Sequence, residues 1–68
     1  MQFREMYRLN DRDYVIETNE NETVVFRVDD SVPPKYEVIF RLYHEGDEIG
    51  ALVDHQYAQN KLEKGEIK

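Results

Sequence analysis

The feature that most constrains this chain is a two-residue alternation of apolar and polar side chains, which recurs in five segments. Such alternation is typical of β-strands with one buried face. Asn, Asp, Gly and Pro separate the segments, and these residues favour turns and interrupt strand ladders. The predicted strands are Phe3–Leu9, Asp13–Thr18, Glu22–Val28, Tyr36–His44 and Asp47–Val53. Because the connecting loops are short, consecutive strands should pair as an antiparallel up-and-down meander.

After the fifth segment the apolar period becomes that of a helix. His55, Ala58 and Leu62 share one helical face, Asp54 is placed to cap the helix, and Gly65 is placed to end it. The predicted fold class is therefore α+β, with a five-stranded antiparallel sheet and one short C-terminal helix, in a single domain of residues 1–68. A helix of about ten residues is only about 15 Å long and cannot cover such a sheet. The sheet would then curl into a small barrel or be covered by a second subunit.

The chain has 68 residues and no cysteine. A domain of this size buries only about 60% of the surface of its unfolded chain, so its stability is marginal. The lack of cysteine excludes disulfides, thiolate zinc sites and thiol catalysis. No apolar stretch approaches the roughly 20 residues of a membrane span, and Met1–Tyr7 lacks the apolar run of a secretory signal. A cytoplasmic protein with no membrane partner is expected.

Fifteen acidic and nine basic residues give a formal net charge of −6. A negative field repels phosphates, so nucleic acid is not expected as a partner. Four acids in turns and at strand ends support an alternative function, an acidic inhibitor that mimics nucleic acid and blocks a basic enzyme. They are Glu20, Glu22, Asp29 and Asp30. Solvated loops that maintain solubility are the simpler interpretation of this acidity.

The sequence offers little for catalysis. His44 and the acidic turn after it resemble a metal site, but a predicted strand separates His44 from His55. Ser31, the single serine, lies in a proline-containing loop, and the three glycines form no phosphate-binding loop. We therefore expect no enzymatic activity, no metal and no cofactor.

Matching apolar residues across each hairpin predicts the register, because directly opposed residues share a face. The predicted pairs are Leu9 with Tyr14, Ile16 with Val24, Phe26 with Val38, and Leu42 with Ile49. In this register the first three pairs lie on the core side, and a second apolar row crosses the opposite face. High β-propensity alone would also explain exposed Val and Ile in strands.

The second row suggests a surface for another protein, since aliphatic residues bordered by arginine and tyrosine resemble interface composition. Its predicted residues are Arg8, Val15, Val25, Ile39, Arg41, Tyr43 and Leu52. The sequence thus predicts a non-enzymatic protein–protein interaction module. Its expected partner is another protein or a second copy, forming a homodimer.

Overall fold

The computed structural model of the chain describes residues 2–67. Its elements are β1 (Phe3–Leu9), β2 (Arg12–Thr18), β3 (Glu22–Asp29), β4 (Lys35–Tyr43) and α1 (Glu48–Glu63). The strands form one sheet in the order β1-β2-β3-β4, with every neighbouring pair antiparallel. The α+β class and the meander are confirmed. The prediction of five strands is wrong, since the described residues form four, and the sheet is open rather than closed into a barrel.

The segment predicted as the fifth strand is the first part of α1. Asp47, not Asp54, caps the helix, and its side chain accepts a hydrogen bond of 3.0 Å from the backbone N–H of Ile49. Alternation of Ile49, Ala51 and Val53 imitates a strand, but in the helix only Ala51 of these three is buried. Sixteen helical residues span about 24 Å, which is enough to cross the middle of a four-stranded sheet.

The C-terminal end of α1 follows the prediction. Gly65 adopts a φ of +72°, a left-handed conformation that glycine reaches without steric strain. Its N–H donates to the carbonyl of Leu62, and the N–H of Glu66 donates to that of Lys61. These two bonds form a Schellman motif. The chain then turns back, so that Ile67 packs into the core.

The β2–β3 hairpin has a register one residue away from the predicted one. Ile16 pairs with Val25 instead of Val24, and Thr18 pairs with Thr23. The side-chain oxygen of Asn19 accepts bonds from the backbone N–H groups of the residues two and three positions later, which stabilises the tight turn. A one-residue shift turns a whole strand over, so β3 presents the face opposite to that predicted.

The registers of the β1–β2 and β3–β4 hairpins lie closer in effect to the prediction. Leu9 pairs with Arg12 across a two-residue turn at Asn10 and Asp11, both at positive φ. This register is two residues from the predicted one, and a shift of two leaves the faces unchanged. The predicted pair of Phe26 with Val38 is confirmed, although both lie on the side away from the helix.

The sheet has two differently covered sides. Helix α1 packs on one side, here called the covered face, where it contacts β2 and β3. The buried core there consists of Ile16, Val25, Ala58, Leu62 and Ile67, with Tyr7, Leu9, Tyr14, Ile39 and Phe40 packed around it. The side opposite α1 is here called the open face. Within residues 2–67, no helix combines the length and apolarity needed to cross a bilayer.

Candidate interaction surface

The open face carries a continuous line of apolar side chains across all four strands. The register places Met6 opposite Val15, Val15 opposite Phe26, and Phe26 opposite Val38. We call these four residues the apolar row. Met6 is 65% exposed and Val38 is 45% exposed, whereas Val15 is buried between its neighbours on β1 and β3. No helix of residues 2–67 packs against this row.

Two further valines of β3 face the same side, of which Val24 is buried and Val28 is partly exposed. Val24 and Val28 lie two residues before and after Phe26, and therefore point to the same face. The rings of Phe26 and Tyr36 meet edge to face, with their centroids 6.3 Å apart. The open face thus combines aliphatic side chains with an aromatic pair, a composition common in protein interfaces.

Charges on the open face occur in pairs of opposite sign. Among the described residues, its three ion pairs are Arg4–Glu17 at 2.9 Å, Arg8–Asp13 at 3.1 Å and Arg41–Glu22 at 3.5 Å. Setting these six residues aside leaves twelve acids and six bases in the sequence. The whole excess of six negative charges therefore lies outside these pairs, and the open face is locally neutral.

The structure brings together some of the predicted interface residues and separates others. Arg8, Val15, Arg41 and Tyr43 lie on the open face, as the register shows. The remaining three are elsewhere: Val25 is in the core, Ile39 packs against the core, and Leu52 lies half-exposed on α1. The predicted straight row of Val15, Val25, Ile39 and Leu52 does not form.

Three local features explain this outcome. The one-residue shift in the β2–β3 hairpin moves Val25 to the covered face and Phe26 to the open face. In β4 a bulge makes Ile39 the extra residue, because Val25 pairs with Phe40 and the next residue pairs with Val38. Leu52 belongs to the helix rather than a strand. The sequence predicted Met6 near one end of the second row but assigned Phe26 and Val38 to the core side, because the β2–β3 register was taken one residue away from the observed one.

A polar chain crosses the covered face. Thr23 and Thr18 are joined by a hydroxyl–hydroxyl bond of 2.9 Å, and the Thr18 hydroxyl contacts Nδ1 of His55 at 2.8 Å. Nε2 of His55 lies 2.6 Å from one oxygen of Glu5, and the hydroxyl of Tyr7 donates to the other at 2.9 Å. With the Nε2–H tautomer assigned to His55, every link has one donor and one acceptor. The sequence did not predict this polar chain of hydrogen bonds.

The polar chain shifts the pKa values of its two outer members, Glu5 and Tyr7. Hydrogen bonds from His55 and then Tyr7 hold the pKa of the Glu5 carboxyl below its usual value. Burial, followed by the hydrogen bond to Glu5, raises the pKa of the Tyr7 hydroxyl to about 12. Both shifts keep Glu5 ionised and Tyr7 neutral near pH 7, so the two groups remain acceptor and donor.

The order threonine, histidine, glutamate resembles a hydrolytic triad, but its geometry does not suit catalysis. A nucleophile must reach a substrate carbonyl, whereas Thr18 is only 2% exposed, beneath α1. Every buried side-chain polar atom in the described part of the chain has a hydrogen-bond partner. The polar chain therefore anchors α1 to the sheet, because it gives hydrogen-bond partners to polar groups that would otherwise be buried unpaired.

His44 forms a second polar contact, at the end of β4. Its Nε2 lies 2.7 Å from the backbone oxygen of Asn19, and its Nδ1 lies 3.0 Å from Asp54. Both partners are acceptors, so only the doubly protonated ring can donate in both contacts. The bond to Asn19, followed by the contacts with Asp54, raises the pKa of His44. His44 thereby joins the β2–β3 turn to the second turn of α1.

Within residues 2–67, the remaining polar groups do not converge at one place. His44 and His55 belong to separate contacts, and no three metal-ligating side chains converge within residues 2–67. Glu20 precedes β3 and Glu22 begins it, whereas Asp29 ends β3 and Asp30 follows it, about 24 Å along the strand. A cleft of about 620 Å³ beside the latter pair mixes both charge signs, and its Arg27 is bound to Glu37 at 2.5 Å.

Comparison with protein-family models, with curated proteins and with solved structures gives no match for this chain. Function therefore has to be inferred from its own surfaces. Among those within residues 2–67, the open face combines exposed apolar area, flanking aromatic rings and local neutrality. It is therefore the candidate interaction surface of this chain.

Proposed function

We propose that this chain is a non-enzymatic protein-interaction module that forms a homodimer through the open face of its sheet. The observation that carries the proposal is the apolar row, which crosses all four strands without a covering element in the described residues. Antiparallel sheets can leave one side in water, but that side is then normally polar. Here the centre of the water-facing side is apolar, and its charges are restricted to the borders.

A second copy of the chain is favoured as the partner by the distribution of charge. Two molecules of net charge −6 repel each other unless they meet where the local charge is balanced. The three ion pairs of the open face provide that balance, since each arginine there already has an acidic partner. An isologous contact then buries the same apolar row on both molecules.

The expected contact is small. Four strands spaced about 4.8 Å apart and seven residues long give a face of roughly 19 by 24 Å, or about 450 Å². Two such faces bury about 900 Å² together, below the usual size of stable interfaces. The dimer should therefore exchange with monomer, with a dissociation constant closer to micromolar than to nanomolar.

Light scattering over a concentration series tests the proposal. The mass should rise from monomer towards dimer, and Met6→Glu or Val38→Glu should shift the midpoint at least tenfold upwards by burying a charge in the contact. Leu52→Glu is the matched control, because Leu52 is also about half exposed but lies on α1, away from the open face. A monomer at every concentration would refute the proposal, and so would an equal effect of all three variants.

Salt separates the dimer from the acidic inhibitor that the sequence left as an alternative. Added salt screens the repulsion between two negative molecules, so apolar pairing should persist or strengthen. Binding of Glu20, Glu22, Asp29 and Asp30 to a basic enzyme should instead weaken steeply. Loss of the dimer in high salt, with unchanged folding, would count against an apolar contact.

A further inference from the structure

The N-terminal half of α1 has little apolar packing to hold it on the sheet. Over Glu48–Asp54 only Ala51 is buried, while Ile49 is 72% exposed and Val53 is 59% exposed. The other three buried residues of α1 all follow Asp54. A segment with so few buried apolar contacts opens at a lower free energy than the whole fold. Its polar contacts to the sheet therefore control whether it stays closed.

His44, between β4 and α1, provides such a polar contact. Its side chain is 6% exposed, with Nδ1 3.0 Å from Asp54 in α1 and Nε2 2.7 Å from the backbone oxygen of Asn19 in the β2–β3 turn. We propose that these three residues form a pH-sensitive latch, in which the doubly protonated ring of His44 holds the N-terminal half of α1 closed. Loss of one proton releases that half while the rest of the fold stays closed. The latch belongs to the contacts of α1 and does not depend on the dimer proposed for the open face.

The backbone around His44 determines which contact is lost. The N–H groups of His44 and Gly46 donate to carbonyls of the β2–β3 turn, so this part of the chain stays tied to the turn at every pH. A neutral ring can therefore keep its bond from Nε2–H to Asn19, which leaves the lone pair of Nδ1 facing the carboxylate of Asp54. The side chain of Asp54 is 25% exposed, so it can turn to water. The contact with α1 is the one that breaks.

The charged groups near His44 favour its protonated form. From α1, Asp54 and the capping Asp47 attract the positive ring. The β2–β3 turn carries Glu20, and Glu45 directly follows the ring in sequence. Because the folded-state pKa of His44 is raised, the latch is closed below that pKa and opens as the pH rises through it.

His55, the other histidine of α1, does not have this property. Its Nε2 lies 2.6 Å from a carboxylate oxygen of Glu5, and its Nδ1 lies 2.8 Å from the hydroxyl of Thr18. A hydroxyl either donates or accepts, so the neutral ring of His55 satisfies both contacts at once. Neutral His44 faces two groups that only accept, and it must give up one of them. The pH response of the helix is therefore assigned to His44.

Amide hydrogen exchange at several pH values tests the latch in the unmodified chain. Division of each observed rate by the intrinsic rate at that pH gives the equilibrium constant for opening. For the amides of Leu52 and Val53, this constant should rise about fivefold or more between about pH 5.5 and about pH 8.5. It should also exceed the constant of Leu62, in the second half of α1, by at least about tenfold at every pH. A constant that does not change with pH overturns the latch, and so does one equal to that of Leu62.

An NMR titration of the two histidine rings identifies the group that releases the proton. The midpoint of the rise in the opening constants of Leu52 and Val53 should coincide with the midpoint of the His44 ring signals. A midpoint that follows the signals of His55 instead would overturn the latch, because His55 contacts Glu5 and Thr18 rather than the β2–β3 turn.

Asp54→Asn gives an independent test with a matched control. The side-chain amide of asparagine accepts from a protonated ring and donates to a neutral one, so the contact with His44 persists across the pH range. The opening constants of Leu52 and Val53 should then change by less than about twofold. Glu45→Gln is the control, because it removes an exposed carboxylate next to His44 in sequence and should retain the rise. An undiminished rise in Asp54→Asn would overturn the latch, and so would an equal loss of the rise in both variants.

Discussion

The covered and open faces of the sheet are made from alternate residues of the same four strands, yet they are stabilised differently. On the covered face, the polar chain and the apolar core depend on α1, and the contact of Glu5 with His55 joins residues 50 positions apart. On the open face, ion pairs join neighbouring strands and the apolar row has no covering element among the described residues. Changes on the covered face should therefore alter folding, and changes on the open face should alter association.

The largest expected effect comes from the apolar core. Ile16→Ala removes part of a fully buried side chain and should lower the free energy of unfolding by about 2–4 kcal/mol, because a cavity remains. In a domain of this size, that loss approaches the total stability. Met6→Ala on the open face should lower it by less than about 1 kcal/mol in the monomer. Urea denaturation at low protein concentration measures both, and equal losses would contradict the division of roles.

The polar chain on the covered face should give the next largest effect. Thr18→Val keeps the shape of the side chain but leaves His55 Nδ1 and the Thr23 hydroxyl unpaired, with an expected loss of about 1–3 kcal/mol. Thr23→Val is the control, since it removes only the terminal hydroxyl of the polar chain and leaves the bond between Thr18 and His55 intact. Urea denaturation should show a clearly smaller loss for the control. Similar losses would mean that the bond to His55 contributes little.

His44 should make part of the stability depend on pH. Its folded-state pKa is raised, so its contribution is complete below about pH 6.5, the usual pKa of histidine, and is lost as the pH rises through the folded value. Relative to His44→Gln, the unmodified chain should be about 1–3 kcal/mol more stable at pH 5.5. The difference should shrink as the pH rises to 9. Urea denaturation at several pH values measures it, and a constant difference would show that His44 does not titrate in these contacts.

The smallest effect is expected for the ion pairs of the open face. A double-mutant cycle with Arg4→Gln and Glu17→Gln should give a coupling energy of about 0.2–1 kcal/mol, because both side chains are about half exposed. Salt at 1 M should reduce that coupling. A coupling as large as the effect of Thr18→Val would mean that this pair of the open face stabilises the fold as strongly as the covered face does.

The sequence by itself determined the four strands and the end of the helix, but alternation over Asp47–Val53 imitated a strand where α1 begins. Turn residues such as Asn10, Asp11 and Asn19 fix where strands end, because few side chains adopt these turn conformations readily. The meander follows from short loops, and the glycine at the end of α1 follows from its need for a positive φ. Ala58 and Leu62 were assigned correctly to the buried side of the helix, since their spacing holds for any helix start.

Only the tertiary structure decided which side of β3 is buried. Its residues Thr23–Val28 include apolar side chains on both faces, so alternation cannot distinguish a register from its one-residue neighbour. Docking of α1 settles the choice by covering Val25 and leaving Phe26 on the open face. The bulge at Ile39 and the bond between His55 and Glu5 depend equally on contacts distant in sequence. The candidate surface was predicted only in part because it consists of the side chains that this docking leaves uncovered.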